Sequence, residues 1–178
     1  LIEIALEYIK FEGEVKMKIL LIADVQQGFI NEFTKHIPVE IDKHVKNFQY
    51  DLVVATRFIN KSGSLFQSEL GMQAMTMLSQ ETKLVATIGK IADIVLLKST
   101  YSSITADLIK LLEKKQVEAV YLAGMNTETC ILATALELFD KDIKPKILSG
   151  LCMSQKGPEV NRQAIELLRN AIGSPNIL

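Results

Sequence analysis

Ile19-Leu20-Leu21-Ile22-Ala23-Asp24 is an uninterrupted apolar run closed by a carboxylate. A strand with one wet face alternates apolar and polar residues. A run without alternation reads as a strand buried on both faces, as in a parallel sheet. The pattern returns in Leu52-Val53-Val54-Ala55-Thr56, in Ile94-Val95-Leu96-Leu97, in Ala119-Val120-Tyr121-Leu122-Ala123 and, in weaker form, from Lys144 to Leu148. Between these runs lie helical spacings: Val39 to Phe48; Ile104, Leu108, Leu111 and Leu112; Ile131, Ala135, Leu138 and Phe139; and Ala164, Leu167, Leu168 and Ala171, which stops at Gly173 with Pro175 beyond. Strands joined by helices imply right-handed crossovers and a parallel sheet covered on both faces. The fold class is therefore α/β, three layers with a mostly parallel central sheet. Asn60 to Ser64 reads as a loop within it. No repeat or linker divides residues 17–178, which form one domain. Residues 1–16 read as an extension, with Ile2, Leu6 and Ile9 at helical spacing. Met17-Lys18, just before a clean strand, reads as an alternative native start.

Composition narrows the function classes. Of 178 residues, 48% are hydrophobic and 23% charged, enough for a packed core and against disorder. Twenty basic against twenty-one acidic residues give a net charge of -1, which argues against a bulk electrostatic grip on nucleic acid and leaves only a local patch open. The apolar runs are too short to span a bilayer, so no membrane partner is expected. Two cysteines, Cys130 and Cys152, are too few for a disulfide scaffold. Glu3, Glu7, Glu12 and Glu14 break both the basic and the apolar parts of a secretory signal, and the expected compartment is the cytoplasm. No G-x-G-x-x-G follows the first strand and no G-x-x-x-x-G-K-[ST] loop occurs, which argues against a nucleotide cofactor.

In open α/β sheets, ligands sit outside the carboxyl ends of the strands. That rule selects Asp24 after the first strand, Arg57 after the second, Lys98 after the third and Gly124 after the fourth. Thr127 and Cys130 fall where the next helix begins. A carboxylate, an ammonium and a thiol thus converge on one sheet edge. A cysteine at a helix N-terminus has its thiolate favoured by the dipole and free N–H groups. Asp24 can take the thiol proton and return it to a leaving amine. Backbone N–H groups near Asn126 and Cys130 can hold an oxyanion. The parts suffice for acyl transfer from an amide-like carbonyl to Cys130, followed by hydrolysis. Each residue alone also has a plainer role: Asp24 as a cap or acceptor, Lys98 as a solvated charge, Cys130 as a small buried apolar group.

Three stretches together resemble the isochorismatase-like cysteine hydrolase superfamily, which includes nicotinamidases and N-carbamoylsarcosine amidases. Asp24-Val25-Gln26-Gln27-Gly28-Phe29 resembles its opening D-x-Q-x-x-F signature. Lys98-Ser99-Thr100-Tyr101-Ser102-Ser103 resembles its K-x-x-Y-S-A stretch, and Gly124-Met125-Asn126-Thr127-Glu128-Thr129-Cys130 its G-x-x-T-x-x-C element, with Thr134-Ala135 fitting downstream. The likeness runs from about Met17 to near residue 172. It implies a Rossmann-like fold and catalytic roles for Asp24, Lys98 and Cys130. It further implies a cis peptide before Asn126, with the amides of Asn126 and Cys130 as oxyanion donors.

Departures from the family pattern matter as much. Nicotinamidases carry a metal-binding D-x-H cluster after the second strand; Phe58 and Asn60 stand at the matching positions of Thr56-Arg57-Phe58-Ile59-Asn60. Phenylalanine offers no ligand, and His36 and His44 lie near a separate helix, so no catalytic metal and no cofactor are expected. Retention of Cys130 favours C–N hydrolysis over vinyl-ether cleavage. Where the family often has an aspartate near the end of the fifth strand, this chain has Ser149-Gly150-Leu151-Cys152. Phe29, Phe58 and Tyr101 read as walls of a planar pocket or as core. Arg57 reads as a carboxylate fork or a surface ion pair. Glu128 reads as an amine-recognising group or as helix N-terminal charge.

The leading expectation is a metal-independent cysteine hydrolase that cleaves the C–N bond of a small amide, ureido or carbamoyl compound through a thioester on Cys130. The alternatives are a vinyl-ether hydrolase using Asp24 and a non-catalytic small-ligand binding module. The expected partners are a small-molecule substrate and, from the resemblance, a second copy of the chain in a homodimer or larger homo-oligomer.

Overall fold

The computed structural model describes residues 16–113 and 116–178. The expected N-terminal extension, with its helical spacing at Ile2, Leu6 and Ile9, falls almost wholly on residues 1–15, outside the described residues.

Five parallel strands form one sheet: β1 (Met17–Ala23), β2 (Leu52–Phe58), β3 (Ile94–Lys98), β4 (Val117–Gly124) and β5 (Pro145–Cys152). Their order is β3-β2-β1-β4-β5. The helices are α1 (Ile37–Asn47), a single turn α2 (Leu65–Ser68), α3 (Ala86–Ile91), α4 (Ala106–Glu113), α5 (Leu132–Asp140) and α6 (Pro158–Ile172).

The alternating side chains of β1 explain the layers. Leu20 and Ile22 pack with Ile37 and Ile41 of α1 and Ile88 of α3. Ile19 and Leu21 pack with Leu108 of α4, Ala135 and Leu138 of α5, and Leu168 of α6. Every residue from Ile19 to Ala23 is fully buried, as a central strand between two helical layers requires.

The elements extend beyond the apolar runs that announce them. β2 continues through Arg57 and Phe58, so Arg57 lies within the strand rather than after it. α1 starts at Ile37 with Pro38 in its first turn, where a missing N–H costs nothing, rather than at Val39. α3 has no counterpart in the sequence expectations. Its six residues include Gly89 and bury only Ile88, too little periodicity to read. β5 runs to Cys152 because its pairing with β4 shifts register between Leu122 and Gly124. The chain end then lies along β5: Leu178 N–H donates to the Ile147 carbonyl and Ser149 N–H to that of Leu178.

Candidate active site

In this strand order the chain leaves β1 toward β2 on one side and returns to β4 on the other. Ligands bind in the crevice where the order reverses. Here that crevice lies between the ends of β1 and β4, paired to their last residues, Ala23 with Gly124. Gly124 has φ +120°, and a Cβ there would collide with the Ala23 backbone. Glycine therefore lets the nucleophile turn start directly beside Asp24.

Asp24 and Lys98 form a fully buried ion pair with Lys98 Nζ 2.6 Å from Asp24 Oδ2. Asp24 sits at φ +53°, a conformation aspartate tolerates better than most residues. Its Oδ1 accepts from Thr56 Oγ1 at 2.8 Å. Since the single Thr56 proton is spent there, Ser103 Oγ must be the donor in its 3.3 Å contact with Thr56 Oγ1. Oδ2 accepts no directed hydrogen bond; its short contact with Lys98 is ionic. Lys98 Nζ gives its hydrogen bonds to the carbonyls of Thr100 and Tyr101, at 2.9 and 2.7 Å. An ammonium held in this way serves as a fixed positive charge. Removing either member of such a pair leaves an uncompensated buried charge, at a cost of about 3–5 kcal/mol.

Cys130 lies in a wide π-helical turn, Thr127–Ile131, which runs straight into α5. Its side chain is buried, with the Asp24 carboxylate within hydrogen-bonding reach. Burial first, then the Asp24 charge, push its thiol up to about 12, against a smaller downward pull from Lys98. Burial and the Asp24 charge thus oppose the thiolate that a helix N-terminus favours, and the balance lies toward the neutral thiol. Thr134 Oγ1 donates to the Cys130 carbonyl at 2.6 Å and accepts from Ser103 N–H at 2.9 Å. The segment after β3 and the nucleophile turn are thereby tied together.

The Met125–Asn126 peptide is cis. Asn126 is clamped by Gln155, whose N–H donates to Asn126 Oδ1 at 2.8 Å and whose Oε1 accepts from Asn126 Nδ2 at 3.1 Å. Gln155 also reaches the Gly28 carbonyl, so the Asn126 turn is braced against the segment after β1. Gln26, fully buried, bonds both the N–H and carbonyl of Phe58 and the carbonyl of Thr82.

The residues read as substrate contacts divide. Phe58 walls the centre, its ring centroid 5.7 Å from Lys98 Nζ. Phe29 lies buried behind it, 6.4 Å from ring to ring. Arg57 is not presented to the centre as a free fork: Nε donates to the Thr82 carbonyl at 2.7 Å and a terminal nitrogen to Thr82 Oγ1 at 2.6 Å. Tyr101 offers Lys98 its backbone carbonyl, while its ring meets Phe66 edge-on. Glu128 has a buried Oε2 with no hydrogen-bond partner among the described residues. Sequence reasoning passed over Thr56, Ser103 and Gln155 as functional residues. Thr56 carried one signal, its place at a strand end beside Asp24; Gln155 carried none.

At the D-x-H positions, Asn60 is committed to its own loop. Nδ2 donates to the carbonyls of Met72 and Ala74, and Oδ1 accepts from Ser64 Oγ. Among the described residues, no group of three or more His, Cys, Asp or Glu is placed to hold a metal ion.

A family model for the isochorismatase domain matches residues 18–175. No curated protein matches the sequence. Among solved structures, the chain is similar to an isochorismatase-like hydrolase from Alkaliphilus metalliredigens, with 17% identity, 89% of this chain and 93% of that one covered, and a TM-score of 0.77. It is similar to the pyrazinamidase of Pyrococcus horikoshii in complex with zinc, with 22% identity, coverage of 91% and 98%, and a TM-score of 0.76. It is also similar to a nicotinamidase from Bacillus subtilis, with 21% identity, coverage of 90% and 98%, and a TM-score of 0.75. At these identities the likeness concerns the fold.

Proposed function

Because the chain belongs to the isochorismatase family of hydrolases, we propose that it is a cysteine amidohydrolase. It cleaves the C–N bond of a small amide, ureido or carbamoyl compound, without a metal, through a thioester on Cys130. The observation that carries this reading is the buried Asp24–Lys98 pair with the Cys130 thiol beside it.

The neutral thiol sets the order of events. Cys130 Sγ attacks the substrate carbonyl as its proton passes to the Asp24 carboxylate beside it. The carbonyl oxygen gains charge and turns to the backbone amides of Asn126 and Cys130. Asp24 then gives the proton to the leaving nitrogen, the C–N bond breaks, and an amine and an acyl-thioester remain. Water attacks the thioester with Asp24 again accepting a proton, and the acid leaves as Cys130 recovers its hydrogen. Throughout, Lys98 holds Asp24 in place through their buried contact.

Chelator-treated protein is to be assayed for amine release across primary amides, ureido acids and carbamoyl compounds, beside Cys130→Ala and Asp24→Asn. Turnover by the parent protein is expected, with a loss of at least about a hundredfold in either variant. Turnover that persists in Cys130→Ala would refute the thioester route.

A further inference from the structure

Asn126 and Gln155 hold each other through a chain of amides whose direction is fixed at both ends. The Gln155 N–H can only donate, and it gives its hydrogen to Asn126 Oδ1 at 2.8 Å. Asn126 Nδ2 must then face the Gln155 side chain, and it donates to Oε1 at 3.1 Å. Gln155 Nε2 is left for the Gly28 carbonyl, which can only accept, at 3.3 Å. Flipping either amide would set donor against donor and acceptor against acceptor. Asn31 Nδ2 donates to the Gln155 carbonyl at 2.8 Å, so every polar group of Gln155 is engaged.

The chain of amides joins three segments that follow different strands. Asn126 follows β4, Gly28 and Asn31 follow β1, and Gln155 follows β5. Gly28 is a firm anchor, because a side chain there would strike Met75 and Glu81.

Asn126 passes this anchoring on to the nucleophile turn. Its carbonyl accepts from the Thr129 and Ile131 N–H groups, and so starts the turn that bears Cys130. Its own N–H donates to no carbonyl among the described residues, as an oxyanion donor requires. Just before it, the Met125 N–H is held by the Ala23 carbonyl at 2.8 Å. Gln155 supplies the hold on the Asn126 side chain.

We infer that Gln155 is a positioning residue for acyl transfer: it fixes the Asn126 N–H where the carbonyl oxygen of the substrate gains charge. With every polar group engaged, Gln155 acts through Asn126 and not on the substrate. This inference rests on the amidohydrolase reading for the role of that N–H.

The test compares two reactions of the Cys130 thiol at one pH. Acetylation by p-nitrophenyl acetate forms an S–C bond through a tetrahedral oxyanion and expels nitrophenolate, with the thiol proton passing to Asp24 and then to water. Methylation by iodomethane forms an S–C bond, expels iodide and develops no oxyanion. Intact mass follows both, and the modified peptide is sequenced. The variants are Gln155→Ala and Gln155→Met, which keeps the length of the side chain and loses its amide. Acetylation of Cys130 is expected to slow at least about tenfold in both. Methylation, which reads only access and thiolate fraction, should stay within about twofold. Thermal melts confirm folding. Equal slowing of both reactions, or slowing of neither, would overturn the inference and leave Cys130 as the nucleophile. A parent protein that is methylated but never acetylated on Cys130 would defeat the inference together with the thioester route. Selective slowing of acetylation in a protein that turns over no amide supports the positioning role and defeats the amidohydrolase reading alone.

Discussion

Burial and the neighbouring Asp24 push the Cys130 thiol toward its protonated form, and that direction shapes the chemistry proposed around it. Cysteine hydrolases that hold a ready thiolate are attacked by alkylating agents at neutral and mildly acidic pH. Here burial and Asp24 raise the thiol from an ordinary value of 9 to about 12. The thiolate fraction therefore grows about tenfold per pH unit throughout the range below that value. Iodoacetamide labelling of Cys130 is expected to accelerate by that factor from about pH 6 to pH 9 without a plateau. A plateau below pH 8 would show a standing thiolate and contradict the arrangement. In the proposed route the thiol gives up its proton as it attacks, and the Asp24 carboxylate beside it is the acceptor. Asp24, Lys98 and Cys130 were legible because strand ends can be read from apolar runs. The state of the thiol was not: a helix-start position is visible in a sequence, but the desolvation that overrides it is not.

Asp24 follows β1, Lys98 ends β3, and the turn that bears Cys130 follows β4, so the proposed catalytic side chains are spaced by the sheet. Gly124 is the joint. Its positive φ and its contact with the Ala23 backbone leave no room for a side chain. Gly124→Ala is expected to cost more than about 2 kcal/mol of stability in a denaturant titration, from strain and overlap together. Gly150 is the control. A Cβ there meets nothing, and Gly150→Ala should change stability by less than about 1 kcal/mol. Equal effects would show that the β1–β4 approach is not tightly fixed. The sequence displayed this joint only as a glycine after an apolar run. It also displayed the five strand cores. β1 and β2 lack alternation because both faces are buried, whereas β3, at the sheet edge, reads as buried on both faces and yet exposes Val95 and Leu97. It did not display α3, or the bulge that carries β5 to Cys152, since short elements and register shifts depend on neighbours distant in sequence.

At the scale of the molecule, the two helical layers meet the sheet so that its switch point opens between β1 and β4. α1 and α3 cover one face, and α4, α5 and α6 the other. The crossing of the chain from one face to the other is what brings Cys130, from the second half, beside Asp24, from the first. Thr56, Ser103 and Thr134 then link the halves by a hydrogen-bonded path from Asp24 to the nucleophile turn. The loop after β2 is closed on itself by Asn60. In the proposed route catalysis falls to the thiol and the ion pair. The measurement that tests this most directly is acid-quenched intact-mass spectrometry of the chelated protein mixed with a primary amide, with the modified peptide sequenced. The account predicts a transient mass increase equal to the acyl group, located on Cys130 and absent from Cys130→Ala. Amide turnover with no such adduct at any quench time, or an adduct on another residue, would contradict it.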